Sequence, residues 1–291
     1  MHIPVLLNEV LQYLEPKPGE NFIDCTYGEG GHALAILRLV APNGKVLGID
    51  RDAAMIKISP SDRLILHHGN FADIRAIAAQ YDFASINGIL FDFGLSSWQL
   101  EESGAGFSFQ NIEPLDMRFD RSDVNSETAA SIVNSWREEA IAQILYEFGE
   151  ERYARRIARE IIQARKKERI ARTDQLVRII LRAVPKRSEI HCATRTFQAL
   201  RIAVNNELEN IEKGLHEAIG LLSWGGRICA ISFHSLEDRR VKNIFKEYAK
   251  EGSLKILTKK PMVPSEEERR ANPRARSAKL RWGEKLKQKS G

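Results

Sequence analysis

At 291 residues, with 43% hydrophobic and 29% charged side chains, the chain has the makeup of a globular protein and excludes a disordered or fibrous one. No apolar run reaches the length of a membrane span, and the start "MHIPVLLNEVLQYLEP" carries acids where a secretory leader would be basic; no membrane association is expected, and the cytoplasm is the expected compartment. The net charge of +5 is unevenly spread: residues 259–291 hold eleven Lys and Arg against four Glu, whereas the rest of the chain carries 33 basic and 35 acidic side chains.

In chain order, apolar periodicity predicts a helix over residues 5–14, a strand over 22–25, a helix over 33–40 and a strand over 46–49. A helix over 53–58, a strand over 64–67, a helix over 74–80 and a strand over 88–92 follow. Short, nearly all-apolar strands separated by helices read as parallel strands buried on both faces, an α/β, Rossmann-like sheet. After Asp92 this alternation stops. Residues 104–205 read as a polar loop and then helices, of which "ERYARRIAREIIQARKKER" is the clearest, with Ile157, Ile161 and Ile162 on one face and Arg and Lys on the other. Strand signals return in "GGRICAISF", "LKILT" and "SAKLRW". An inserted all-helical domain over 104–205 is therefore expected to interrupt a sheet domain made of residues 1–103 and 206–291.

Ligands of open α/β sheets bind beyond the carboxyl ends of the strands. Those ends carry "DCTYGEGGHA", Asp50, "GNF" and "DFGLSSWQL". Gly28 and Gly30 would let the backbone pass close to a ligand, and Asp50, 20 residues beyond Gly30, stands where a carboxylate accepts both ribose hydroxyls. Phe71 could lie against a purine face and Asn70 meet its edge. Together these residues describe a site for an adenosine-containing cofactor. "GEGGHA" also satisfies the dinucleotide pattern G-x-G-x-x-A, so a nicotinamide cofactor is the competing reading, and a turn that merely allows tight helix–strand packing is a third. Asp24 before the glycines, and closing strands where a second mononucleotide half would stand, favour S-adenosylmethionine.

The loop after the fourth strand discriminates further. Amino-group methyltransferases acting on DNA carry an Asn/Asp-Pro-Pro-aromatic turn there, and this chain has "DFGLSS". Cytosine-C5 enzymes need a nucleophilic Cys, commonly preceded by Pro. Cys25, Cys192 and Cys229 lack that setting, and their spacing indicates neither a disulfide framework nor a metal site. Methyl transfer without a covalent enzyme intermediate is expected.

The segments "HIPVLLNEV", "GEGGH", "GIDRD", "GILFDFGLSSWQL", "GFSF", "PLDMRFD", "FGEERYARRIA", "ATRTFQALRIAVNNEL", "GGRICAISFHSLEDR" and "NPRARSAKLR" span nearly the whole chain. In them the sequence resembles the bacterial ribosomal RNA small subunit methyltransferase H family, the 16S rRNA cytosine-N4 methyltransferases. Departures are small: Ala33 stands where Ser is usual, Phe148 where Tyr is usual, and Trp98 where Pro or His is frequent. The resemblance implies a class I S-adenosyl-L-methionine-dependent fold and a partner in 16S rRNA or the small ribosomal subunit at its decoding region. It implies cofactor contacts at Gly30, Gly31, His32, Asp50, Phe71, Asp92 and Gln99. Gly30, Asp50, Phe71 and Asp92 also follow from the strand ends; His32 and Gln99 rest on the resemblance alone.

The implied reaction is in-line displacement by the cytosine N4, whose lone pair is delocalised into the ring, so the nitrogen must be oriented and relieved of a proton. A carboxylate, a carbonyl or water could accept it. Asp92 is the first candidate, with Asp116 of "PLDMR" and His234 of "SFHS" behind it; each also has a purely structural reading, as cofactor ligand, as partner of Arg118 and as a supporting residue. Arg274 and Arg276 in "NPRARSAKLR" are candidate RNA contacts, because guanidinium forks fit phosphate, although a solvated tail would share the composition. Arg155, Arg156 and Arg159 read equally as an RNA-facing or a solvated stretch. A methyltransferase of other amino groups, in DNA or protein, and a non-catalytic RNA-binding assembly factor are the alternative functions.

Overall fold

A computed structural model describes residues 4–57, 59, 61–185 and 191–287; His2, Ile58 and residues 288–291 of the basic tail lie outside the described residues. The chain forms two compact units, one of Met1–Gly94 with Leu208–Gly291 and one of Leu95–Glu207. The first begins with α1 (Leu7–Leu14), β1 (Asn21–Asp24), α2 (Gly31–Leu39), β2 (Val46–Asp50), β3 (Leu64–His68), α3 (Ile74–Gln80) and β4 (Ile86–Asp92). The second holds α4 (Ser97–Glu101), α5 (Ala129–Ser135), α6 (Glu138–Glu147), α7 (Ala154–Arg165), α8 (Thr173–Ala183) and α9 (Ala193–Asn205). The chain then runs through α10 (Glu207–Leu221), β5 (Leu222–Ser232), α11 (Ser235–Lys250), β6 (Leu254–Ile256), α12 (Glu266–Ala271) and β7 (Lys279–Lys285).

The strands build one seven-stranded sheet in the order β3-β2-β1-β4-β5-β7-β6. The five strands from β3 to β5 are parallel, and β7 runs antiparallel to both β5 and β6. The apolar strand sequences explain the burial: Phe22, Ile23, Leu47, Ile49, Ile89, Leu90 and Phe91 are all fully enclosed. Val10 and Leu14 of α1 and Ile36 and Leu37 of α2 join Phe22, Val46, Leu90, Ile231 and Leu280 in one core. Tyr13 stacks on Trp282 with ring centroids 3.5 Å apart, which ties the end of α1 to β7. Because the chain passes β1, β2 and β3 in one direction and then returns to β4 on the other side of β1, the switch point lies between β1 and β4.

One predicted element fails. The helix expected over 53–58 is only a 3₁₀ turn at Ala53–Met55, capped by the Asp52 side chain, which accepts from the Ala54 N–H. The sequence that follows carries β-branched Ile58 and then Pro60, which disfavour helical continuation. β5 begins earlier than "GGRICAISF" suggests, at Leu222, with a register shift opposite Ile86–Gly88.

The helical unit has its own core, built on Leu115, Ile132, Val133, Ile141, Leu145, Ile157, Ile161, Leu176, Ile180 and Leu200. Arg165 donates to the Val133 and Trp136 carbonyls and so satisfies groups left open where α5 ends. Buried Asn205 accepts from the Phe119 N–H and donates to the Met117 and Arg201 carbonyls, fixing the "PLDMRFD" loop against α9. Arg195 and Gln198 of α9 donate to the Glu150 and Phe148 carbonyls, so they serve a packed helix junction.

Candidate active site

β1 ends in Asp24, β2 in Asp50 and β4 in Asp92, and the parallel register carries all three to the same edge of the sheet. Asp24 is 1% exposed and accepts from the Thr26 N–H at 3.2 Å; burial pushes its pKa up to about 7, with the Asp50 charge adding to the rise. Asp50 accepts from the Gly28 N–H at 2.7 Å and the Asp52 N–H at 2.8 Å; burial still lifts it to about 6 against those bonds. Each of its oxygens keeps a further lone pair for a hydroxyl donor.

Asp92 differs from both. Its backbone N–H donates to Thr26 Oγ1 at 2.7 Å, and its side chain is 22% accessible. Burial, then the Asp24 charge, push the carboxyl up to about 7, although the Gly94 N–H opposes the rise. Oδ1 is enclosed and accepts no hydrogen bond among the described residues. A buried carboxylate oxygen without a donor is costly, so this atom is open to a donor from a ligand. His32, at the start of α2, lies beside it: Nδ1 is 4.0 Å from Asp92 Oδ2, and Nε2 is 3.0 Å from the Val5 carbonyl.

The glycines of the turn divide by purpose. Gly30 has φ +80°, and a Cβ there would come within 2.6 Å of Tyr27 Oη; one on Gly31 would run into Pro4. The Gly30 N–H donates to the Tyr27 carbonyl within the turn. Internal packing therefore requires both residues to be small. Gly28, at φ +52°, is the open one: a Cβ would meet only the Thr26 carbonyl, at 3.9 Å. Phe71 packs against α10 at Gly214 and edge-on to Phe91, with centroids 5.5 Å apart, and remains partly exposed. The Asn70 side chain caps the Ala72 N–H and donates to Asn210, so it is engaged within the protein.

Other candidates are held in structural bonds. Asp116 forms a two-pronged pair with Arg118, at 2.7 and 2.9 Å, which keeps its carboxyl below the usual range despite desolvation; an acid so stabilised as its anion is a poor proton acceptor. Gln99 closes the capping box of α4 with Ser96. His234 caps α11: Nδ1 receives the Glu237 N–H at 3.5 Å, and Nε2 lies 3.0 Å from Glu237 Oε1. Arg274 and Arg276 sit in the 3₁₀ turn Pro273–Ser277, the first half-buried and the second exposed. Burial pushes the Cys25 thiol well up, so it offers no thiolate nucleophile. Sequence reasoning missed Glu237, fully buried and close enough to add to the rise at Asp92, although "HSLE" spells the capping pattern that places it.

A carboxyl-lined edge with an open glycine and an unsatisfied carboxyl oxygen fits a ligand bearing ribose hydroxyls, an ammonium and a sulfonium charge, as S-adenosylmethionine does. Sheet order, antiparallel outer strands and this edge at the β1/β4 switch point together define a Rossmann-like methyltransferase. The chain belongs to the MraW methylase family, whose model matches residues 1–286. It is 46% identical over 304 residues to ribosomal RNA small subunit methyltransferase H of Syntrophotalea carbinolica, covering 96% of each chain. The proteins of the same name from Sulfurihydrogenibium sp. and Geobacter sulfurreducens are 47% and 46% identical, each over 98% of this chain and 99% of theirs.

The raised Asp92 carboxyl fixes the sign of a stability effect. The folded state holds this proton to higher pH than the unfolded chain, so stability falls as pH rises from about 4 to about 7 and stays lost above that. Without cofactor, Asp92→Asn should match the parent near pH 4 and exceed it at pH 8, by on the order of 1–3 kcal/mol in denaturant titrations. A difference independent of pH would contradict the assignment.

Proposed function

We propose that the chain transfers a methyl group from S-adenosylmethionine to the exocyclic N4 of a cytosine in 16S rRNA of the small ribosomal subunit. The observation that carries this reading is the match to the methyltransferase H relatives over nearly the full length of both chains. The relatives' name supplies the substrate class, and the family resemblance supplies the atom. S-adenosylmethionine, when bound, supplies a methyl group made electrophilic by its sulfonium. Asp50 would hold the ribose hydroxyls, Gly28 would leave room beside them, and Phe71 would pack against the adenine. Gly30 enters this list from its place after β1 as well as by resemblance, and Gly31, His32 and Gln99 enter it by resemblance.

Asp92 is the proton acceptor in this scheme. It ends β4 at the switch point with one oxygen lacking a donor, and the exocyclic amine of cytosine is a donor. A carboxyl with a pKa of about 7 suits a general base working near neutral pH. Asp116 is held as an anion by Arg118, which makes it a poor acceptor, and His234 accepts the Glu237 N–H through Nδ1, so both stand behind Asp92 as candidates. With Cys25 buried and protonated, the displacement needs no covalent enzyme intermediate. The target cytosine must leave any stack to reach the edge of the sheet. Exposed Arg276, with Arg274 on the same turn, and exposed Arg155 and Arg156 on α7 supply guanidinium groups for the RNA backbone. Among the described residues, no helix is long and apolar enough to cross a membrane.

The direct test is to incubate the protein with methyl-labelled S-adenosylmethionine and small ribosomal subunits lacking the modification, then digest the RNA. Label in N4-methylcytidine is the expected result. Label in DNA or protein under matched conditions, or in another nucleoside, would replace this function with another amino-group or base specificity. In single turnovers at saturating cofactor, Asp92→Asn should be slower by about 10²–10⁴-fold. A rate within a few-fold of the parent would leave Asp92 a binding residue only.

A further inference from the structure

The segment before α1 makes three contacts that α1 itself does not need. The Pro4 ring fills the space that a side chain on Gly31 would take. The Val5 carbonyl lies 3.0 Å from His32 Nε2. Leu6, fully buried with φ 55°, turns its N–H away from the helix to Glu268 Oε1 at 2.7 Å, across 262 positions of sequence. Glu268 is half-buried on α12, whose first turn is capped by Ser265, and its own carbonyl accepts from the Asn272 N–H at the start of the Arg274–Arg276 turn.

We infer that Pro4–Leu6 is a strap across the start of α2, and that Glu268 is a positioning residue for the cofactor site, acting through the Leu6 N–H, the Val5 carbonyl and His32. A carbonyl oxygen only accepts, so the Val5 contact fixes the proton of His32 on Nε2 and orients the ring with Nδ1 toward Asp92, 4.0 Å away. The strap carries a left-handed non-glycine residue, a conformation that persists only where other contacts hold it. The Glu268 carboxylate is such a contact: a charged acceptor on a backbone N–H is among the stronger hydrogen bonds. Loss of it frees Leu6 to relax, moves the Val5 carbonyl and releases the ring beside Asp92. The strap and the glycine turn are thus one unit, because Gly31 must lack a side chain for Pro4 to sit.

This inference rests on the glycine turn being the S-adenosylmethionine site, and calorimetry of cofactor binding without RNA separates the two ideas. If the parent protein binds no S-adenosylmethionine, the site assignment fails and the strap with it. If the parent binds, Glu268→Ala should weaken binding by about 3–10-fold, and Glu268→Gln, which keeps an oxygen acceptor, should stay within about twofold of the parent. In a His32→Ala background, Glu268→Ala should cost nothing further, since its route to the site is gone. Equal losses in both backgrounds, or loss in Gln as large as in Ala, would overturn the inference. Nitrogen-15 spectra of the parent should show His32 protonated on Nε2 when the ring is neutral; the Nδ1–H form would overturn it without any variant having to fold.

Discussion

Three carboxylates ending neighbouring or next-neighbouring parallel strands are the constraint around which the first unit is arranged. Asp24, Asp50 and Asp92 lie where a parallel sheet gathers its strand ends, and each is raised above the ordinary range mainly by burial. Parallel strands bring them together because β1 pairs on one side with β2 and on the other with β4. Such a cluster opposes folding in the ligand-free protein whenever it ionises. The surrounding backbone offsets part of that cost: Asp50 takes the Gly28 and Asp52 N–H groups, and Asp24 takes that of Thr26. Asp92 Oδ1 is the oxygen left over.

What surrounds this edge follows from the same constraint. The turn after β1 must bend tightly enough for Gly28 to reach Asp50, and the positive φ of Gly28 and Gly30 permits that bend. Tyr27 then packs over Gly30 and Gly48, whose side chains would each overlap its ring. On the far side of β4, the buried Glu237 accepts from the Phe233 and His234 N–H groups, so a further carboxylate close enough to act on Asp92 is fixed in place by backbone donors. Stability is given up at the edge of the sheet and recovered in the apolar layers behind it, where Phe22, Val46, Leu90 and Ile231 share one core.

Much of this was legible in the sequence because it depends on local pattern. Apolar runs bounded by Asp and Gly marked β1 through β4 to within two residues, since buried parallel strands admit almost nothing polar. Asp50 and Asp92 were legible because they follow such runs directly. The illegible parts depend on contacts distant in sequence. Nothing local says that Gly31 is small for Pro4, that Glu268 reaches Leu6, or that Asn70 is spent on Asn210. Asp116 was ambiguous for a different reason: "DMR" offers both an acid and its neutralising partner, and only geometry shows the pair closed. The turn at Ala53–Met55 was overread because a three-residue apolar cluster fits helix and 3₁₀ turn alike.

Carboxyls raised to about 6 and 7 at the sheet edge are poised to give up protons when a cationic ligand binds. Calorimetric titration of S-adenosylmethionine near pH 6.5, in buffers of different ionisation enthalpy, tests it most directly. A positive ligand should lower the raised carboxyls and release about half to one proton on binding, and S-adenosylhomocysteine, without the sulfonium charge, should release less. An enthalpy independent of buffer for both ligands would contradict the claim and leave the carboxylates as structural groups.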